Sequence, residues 1–128
     1  MTIYIGDFEK SWDIDDLEEI SSIFMLNYDG YNMFNVAFSE EEGSYPNIMM
    51  MTNNDLAAIT YYQEEGPAFN AIMAGEQPEG DIKFKVFESD EQTYVPKYNV
   101  ISIEKAIDIV IFFCNHRSRS PDAEWEEL

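Results

Sequence analysis

Cations are scarce in this sequence: 7 Lys and Arg stand against 26 Asp and Glu, a formal charge of −19. A protein that grips DNA, RNA or an anionic membrane displaces counterions with a basic footprint, so direct binding of those ligands is excluded. Cysteine is limited to Cys114. It cannot form an internal disulfide, and in an apolar run it reads as a small buried filler and not as a catalytic thiol. Histidine is limited to His116, and a base or metal ligand needs partners that one cysteine two residues away does not supply. There is no Gly-rich phosphate loop, nucleophile elbow or paired-Cys zinc motif. No apolar run reaches bilayer length, and the first residues lack the basic and apolar regions of a signal peptide. The expectation is a cytoplasmic chain with no catalytic residue, no cofactor and no metal.

What is present is a folded body beneath that charge. Hydrophobic residues make up 45% of the 128 and aromatics 15%, too much for a disordered acidic tail and enough for one domain spanning residues 1–128. Residues 2–5 read as a first strand. Asp13 reads as the N-cap of a helix, with Asp15, Asp16, Glu18 and Glu19 at the positive end of its dipole and Ile14, Leu17, Ile20 and Phe24 along one face. Residues 27–30 carry turn chemistry. The period then changes to two, giving strands at 33–38, 47–51, 56–62, 68–73, 82–87 and 93–95 separated by short polar loops. In the stretch from Ile82 to Phe87, Lys83 and Lys85 alternate outward while the others face the core. A second helix opens at Ser102 as cap, with Glu104 in its first turn and apolar residues nearly all round to Phe113. The sum is an α+β fold, a single antiparallel β-meander sheet with an N-terminal and a C-terminal helix packed mainly on one face.

Carboxylate clusters invite a metal reading, but the Asp13–Asp16 run lacks the spacing and the glycine of a calcium loop. Their distribution says more. In an up-and-down meander successive loops alternate between the two ends of the sheet, so three loops share one end. These hold Glu40, Glu41, Glu42, Glu64, Glu65, Glu88, Asp90 and Glu91, an acidic pole of the kind that recognises a basic cleft. Aromatic anchors beside charge make good binding surfaces, and Tyr28, Tyr31, Tyr45, Tyr61, Tyr62, Tyr94 and Tyr98 supply them. Alternation turns one of Tyr61 and Tyr62 outward, and Tyr62 is the candidate.

The order of motifs resembles the first immunity-protein family of bacterial polymorphic toxin and contact-dependent inhibition systems. The matching residues run from Tyr45-Pro46 and Met49-Met50-Met51 through Leu56 to Tyr62, then Val95-Pro96, the Ser102-x-Glu104-x-Ala106 helix opening, Phe112-Phe113, Pro121 and Glu124-Trp125-Glu126, about two-thirds of the chain. The resemblance implies a cytoplasmic antitoxin, monomeric when free, that binds and blocks a cognate secreted toxin. Toxins of such systems include nucleases and nucleic-acid deaminases with basic substrate clefts. Trp125 matches the family's C-terminal tryptophan and is expected to pin the tail to the sheet. The loop after the third strand departs from the pattern, with Pro67 and Asn70 where a richer Gly/Ser run is usual. Two other readings stand: from the charge, a nucleic-acid mimic that inhibits a host DNA- or RNA-binding protein, and from an exposed Tyr and Met patch that would drive assembly, a non-enzymatic adaptor subunit.

Overall fold

The computed structural model describes residues 2–38, 44–72, 78–86 and 91–128. Its body is an antiparallel run of β3 (Tyr31–Ala37), β4 (Asn47–Asn53), β5 (Leu56–Tyr62) and β6 (Phe69–Ile72), each paired with the next in the chain. A hairpin of β1 (Ile3–Gly6) and β2 (Ser11–Ile14) extends the sheet beyond β3. At the other edge β10 (Glu124–Glu127) adds antiparallel to β6, and the short β9 (Ile101–Ser102) pairs with the start of β5. The order is β10-β6-β5-β4-β3-β1-β2, a meander-like antiparallel sheet with two helices, as the sequence leads one to expect.

Strict alternation sorts the sheet into two faces. Phe34, Val36, Ile48, Met50, Ala57, Ile59 and Tyr61 point one way and join the main core. Against them pack α1 (Ile20–Phe24), through Ile20, Ile23 and Phe24, and α2 (Ile103–His116), through Ala106, Ile109, Val110 and Phe113. Each of the fully buried Phe and Ile side chains contributes roughly 1.5–3 kcal/mol by leaving water. The Ser102 hydroxyl caps α2 by accepting the Lys105 N–H at 3.2 Å. Arg117 ends the helix in the left-handed region at φ 53°, donating its N–H to the Phe113 carbonyl, a conformation that costs a non-glycine residue about 1 kcal/mol.

Met33, Met51 and Ala58 point the other way, into a smaller core closed by Phe84 and Val100. The lid is a hairpin of β7 (Asp81–Lys85) and β8 (Gln92–Pro96), a two-stranded sheet of its own. These strands do not continue the meander; Ile82, Phe84 and Val86 lay an apolar stripe across the large sheet's second face. The Asn53 side-chain amide donates to the Lys83 carbonyl at 2.9 Å and ties the hairpin down. Lys83 and Lys85 curl over the Tyr31 ring, 5.5 and 5.0 Å from its centre.

The N-terminal helix starts later than Asp13. Ser11–Ile14 is an edge strand in which Trp12 pairs with Ile5 and Ile14 with Ile3, while Asp13 faces solvent. Ile14 belongs to both a two-residue and a three-residue spacing, and pairing with β1 decides between them. The cap is Asp16, whose carboxylate accepts the Glu18 N–H at 2.9 Å and opens a 3-10 turn, Leu17–Glu19, leading into α1.

Candidate partner-binding surface

Of the nine predicted interface residues, the described structure contains Tyr62, Glu64, Glu65 and Glu91. Glu64 and Glu65 are exposed in the loop between β5 and β6. Tyr62 ends β5 opposite Asn47, half-buried on the face away from the helices, whereas Tyr61 is buried against Phe113 and Trp125. Glu40, Glu41, Glu42, Glu88 and Asp90 lie outside the described residues. Glu91 is exposed and its carbonyl accepts the Val86 N–H. Val86 packs against the small core, and Lys85 beside it reaches the Tyr31 ring, so this end of the hairpin lies toward the Tyr31 end of β3, away from Tyr62 and the loop of Glu64 and Glu65. β7 and β8 form a sheet of their own, so the alternation of loop ends along the meander does not extend to Glu91. Ala37 of β3, Asn47 of β4, Tyr62 of β5 and Phe69 of β6 lie at one end of the sheet, because the four strands are consecutive antiparallel neighbours.

Trp125 packs its indole against Tyr61, ring centres 6.4 Å apart, and donates Nε1–H to the Ser120 carbonyl at 3.0 Å. The strand around it pairs with β6 from Glu124 opposite Ile72 to Glu127 opposite Phe69.

Beside the hairpin, part of the second face of the sheet is uncovered among the described residues. Strand parity places Tyr4, Gly6, Asn35, Ala37, Asn47, Met49, Thr60, Tyr62 and Asn70 on it. Among the described residues, two hollows lie on it. One, of about 330 Å³, is lined by Tyr4, Gly6, Ser11, Asp13, Asn35 and Ala37 among others. The second, of about 220 Å³, lies under β8 and is lined by Thr60, Asn70, Tyr94, Val95, Pro96 and Asn99 among others. Tyr94 is 62% exposed, more than Tyr45 at 49%, so it is the tyrosine best placed to act as an anchor. Its place in a strand was legible, but its place over the sheet follows from packing that no local pattern carries.

The few cations are spent inside the molecule. The Arg119 guanidinium sits 3.7 Å from the centre of the Phe69 ring and Arg117 lies 4.3 Å from that of Phe38, joining Lys83 and Lys85 over Tyr31. With 4 of the 7 cations seated on rings, the exposed Asp13, Glu64, Glu65, Glu124 and Glu127 turn to solvent and set the sign of the surface field.

Catalytic chemistry finds little footing. Cys114 is fully buried, and burial pushes its thiol up to about 12, far from the thiolate a nucleophile needs. His116 stacks on Phe112, ring centres 4.2 Å apart, on the exposed end of α2. No group of three or more His, Cys, Asp or Glu among the described residues is placed to hold a metal ion. No described helix is long and apolar enough to cross a membrane.

One carboxylate has a plainly architectural role. Burial works to raise the Asp7 pKa, but hydrogen bonds from the Asn32 amide, the Glu9 and Lys10 N–H groups and the Tyr28 hydroxyl outweigh it and hold the group below its ordinary range. Burial, and then Asp7 itself, push Tyr28 up to about 12. Fully buried Asn32 also donates to the Leu26 carbonyl and accepts the Met33 N–H, locking the β1–β2 turn to the start of β3.

No family model matches the chain. Over 127 residues, 98% of this chain and the whole of the relative, it is 24% identical to a protein of Burkholderia cenocepacia (strain H111) named double-stranded DNA deaminase immunity protein. The similarity spans both chains from end to end, beyond the residues 45–128 that carry the resemblance in the sequence. What this chain resembles along its length is a protein named as an immunity protein.

Proposed function

We propose that this chain is an immunity protein that binds and neutralises a nucleic-acid deaminase toxin in the cytoplasm of the cell that makes it. The observation that carries the reading is the end-to-end similarity to a protein named for immunity to a double-stranded DNA deaminase. That similarity favours a deaminase over a nuclease as the target, and the motifs near the C-terminus support a relationship to the first immunity-protein family. The charge supports the same reading. A deaminase that works on DNA must hold phosphates with Lys and Arg, and a surface at −19 attracts such a groove while repelling the nucleic acid that competes for it. Inhibition is then occlusion: acidic side chains cover the cationic substrate groove, and neither a cofactor nor a chemical step is involved.

The test uses the toxin domain encoded immediately upstream of the gene. Co-expression with this chain should restore growth of cells making that domain. In purified form about one equivalent should abolish deamination of duplex DNA, as tight one-to-one binding requires. Deaminase activity that persists under a large excess of the folded chain would refute the reading.

A further inference from the structure

We propose that the open face of the large sheet, and not its acidic loops alone, is the surface that receives the toxin, with Tyr94 as its anchor. The inference rests on the immunity reading and names the site within it. The helix side of the sheet is closed by α1 and α2, and the Met33–Met51–Ala58 part of the other side by Phe84 of the hairpin. What remains uncovered among the described residues is the stretch of that face beside the hairpin, from β2 across to the rim of β8.

Its composition is that of an interface centre. Exposed Asn35 and half-buried Asn47 and Asn70 are neutral polar groups beside half-buried Met49 and Tyr62, with buried Thr60 holding the Asn70 side chain through its hydroxyl, and charged residues are depleted at such centres in favour of aromatics and Met. Carboxylates stand round the rim: Asp13 on the β2 edge, Glu124 and Glu126 on the β10 edge, and Glu64 and Glu65 on the adjoining loop. The two hollows, about 330 and 220 Å³, lie near or below the roughly 300 Å³ at which small-molecule pockets begin. They suit single protruding side chains. Tyr94 lines one of them, and on a strand whose Val95 packs down onto the sheet its exposed ring points outward, on the same side of the hairpin as its cross-strand neighbour Lys83. Gly6 opens the other, since a Cβ built there meets nothing within 4 Å.

Charge decides the occupant. A toxin groove that binds DNA presents Lys and Arg around an apolar base-binding pocket. An acidic rim around a neutral, aromatic centre is its complement. The same rim repels DNA itself, so the face discriminates the enzyme from the enzyme's substrate.

The experiment measures Kd for the upstream-encoded toxin domain by calorimetry, with thermal unfolding by circular dichroism as the check on folding. Gly6 has ordinary extended backbone with open space at Cβ, and a side chain in a strand interior strengthens pairing, so Gly6→Arg should fold. Asn35 is exposed. The Gly6→Arg/Asn35→Arg pair adds two units of positive charge, as does Asp108→Arg on the exposed side of α2, so overall charge is matched and only location differs. The open-face pair should weaken binding by about 100-fold or more and Tyr94→Ala by about 10-fold or more, against less than about 3-fold for Asp108→Arg. Wild-type binding that survives the pair and Tyr94→Ala would overturn the surface while leaving the immunity function standing. Absence of wild-type binding would overturn both.

Discussion

Asp7 shows how a chain with so many carboxylates spends one of them on structure. Four donors converge on it, and removing the acceptor would strand the Tyr28 hydroxyl and one N–H of the fully buried Asn32 amide, the other still donating to the Leu26 carbonyl. Asp7→Ala should therefore cost about 2–3 kcal/mol at pH 7, the range for hydrogen bonds to a charged group left without its partner. The pH dependence has a definite sign. The folded-state pKa is lowered from 3.8, so the unfolded chain takes up the proton first. The stabilisation is fully present above that value and is lost as pH falls through the folded pKa. Urea titrations should show the gap between wild type and Asp7→Ala wide at pH 6 and narrowing below about pH 4. A gap that stays constant to pH 2 would show that ionised Asp7 contributes nothing special. Tyr28 responds at the other extreme: its pKa is raised to about 12, so its contribution holds below pH 10 and fades as pH climbs through the folded value.

At the scale of elements, the last strand closes the main core. β10 covers the β6 edge and brings Trp125 onto Tyr61, with the indole N–H held by the Ser120 carbonyl. Trp125→Ala should destabilise the fold by about 2–4 kcal/mol, at or just below the usual cost of emptying an aromatic site because this indole is only half-buried. Trp125→Phe keeps the ring contact and should lose only about 1 kcal/mol, the worth of the hydrogen bond. Denaturant midpoints measure both, and equal losses would mean that the hydrogen bond and not the packing holds the strand. The sequence made this element hard to see: Glu124 to Glu127 has one apolar residue among three glutamates, and only pairing with β6 makes a strand of it. Where alternation is local, as in Met49 to Met51 or Tyr61 and Tyr62, period two is enough to assign faces. The Ser102 cap and the apolar sides of α2 are equally local. Where two periods share a residue, as at Ile14, or where a hairpin chooses a face instead of an edge, as with β7 and β8, the deciding contacts lie far along the chain. The candidate surface suffers most from this. Gly6, Asn35, Thr60 and Tyr94 lie on four strands, unremarkable one at a time, and they come together only through the sheet order and the hairpin above it.

At the scale of the whole molecule, the charge of −19 acts on stability and on encounter in opposite directions, and salt separates the two. With four cations drawn onto rings, the exposed carboxylates repel one another, and folding holds them closer together than the unfolded chain does. Added salt screens that repulsion, since the Debye length shrinks from about 30 Å at 0.01 M to about 10 Å at 0.1 M. The Tm of the free chain should therefore rise by several degrees between 0.01 and 0.3 M NaCl, roughly 1 kcal/mol or more at this chain length. Encounter with a cationic toxin groove depends on the same field, now attractive and acting across solvent, so its rate should fall by about 10-fold or more over that salt range. The dissociation rate should change far less, because Tyr94 and the neutral side chains around it act at contact, where screening has little reach. Stopped-flow association and thermal melts in the same buffers measure all three. An association rate indifferent to salt would mean that the carboxylate rim does not guide the partner, even if the open face is where it binds.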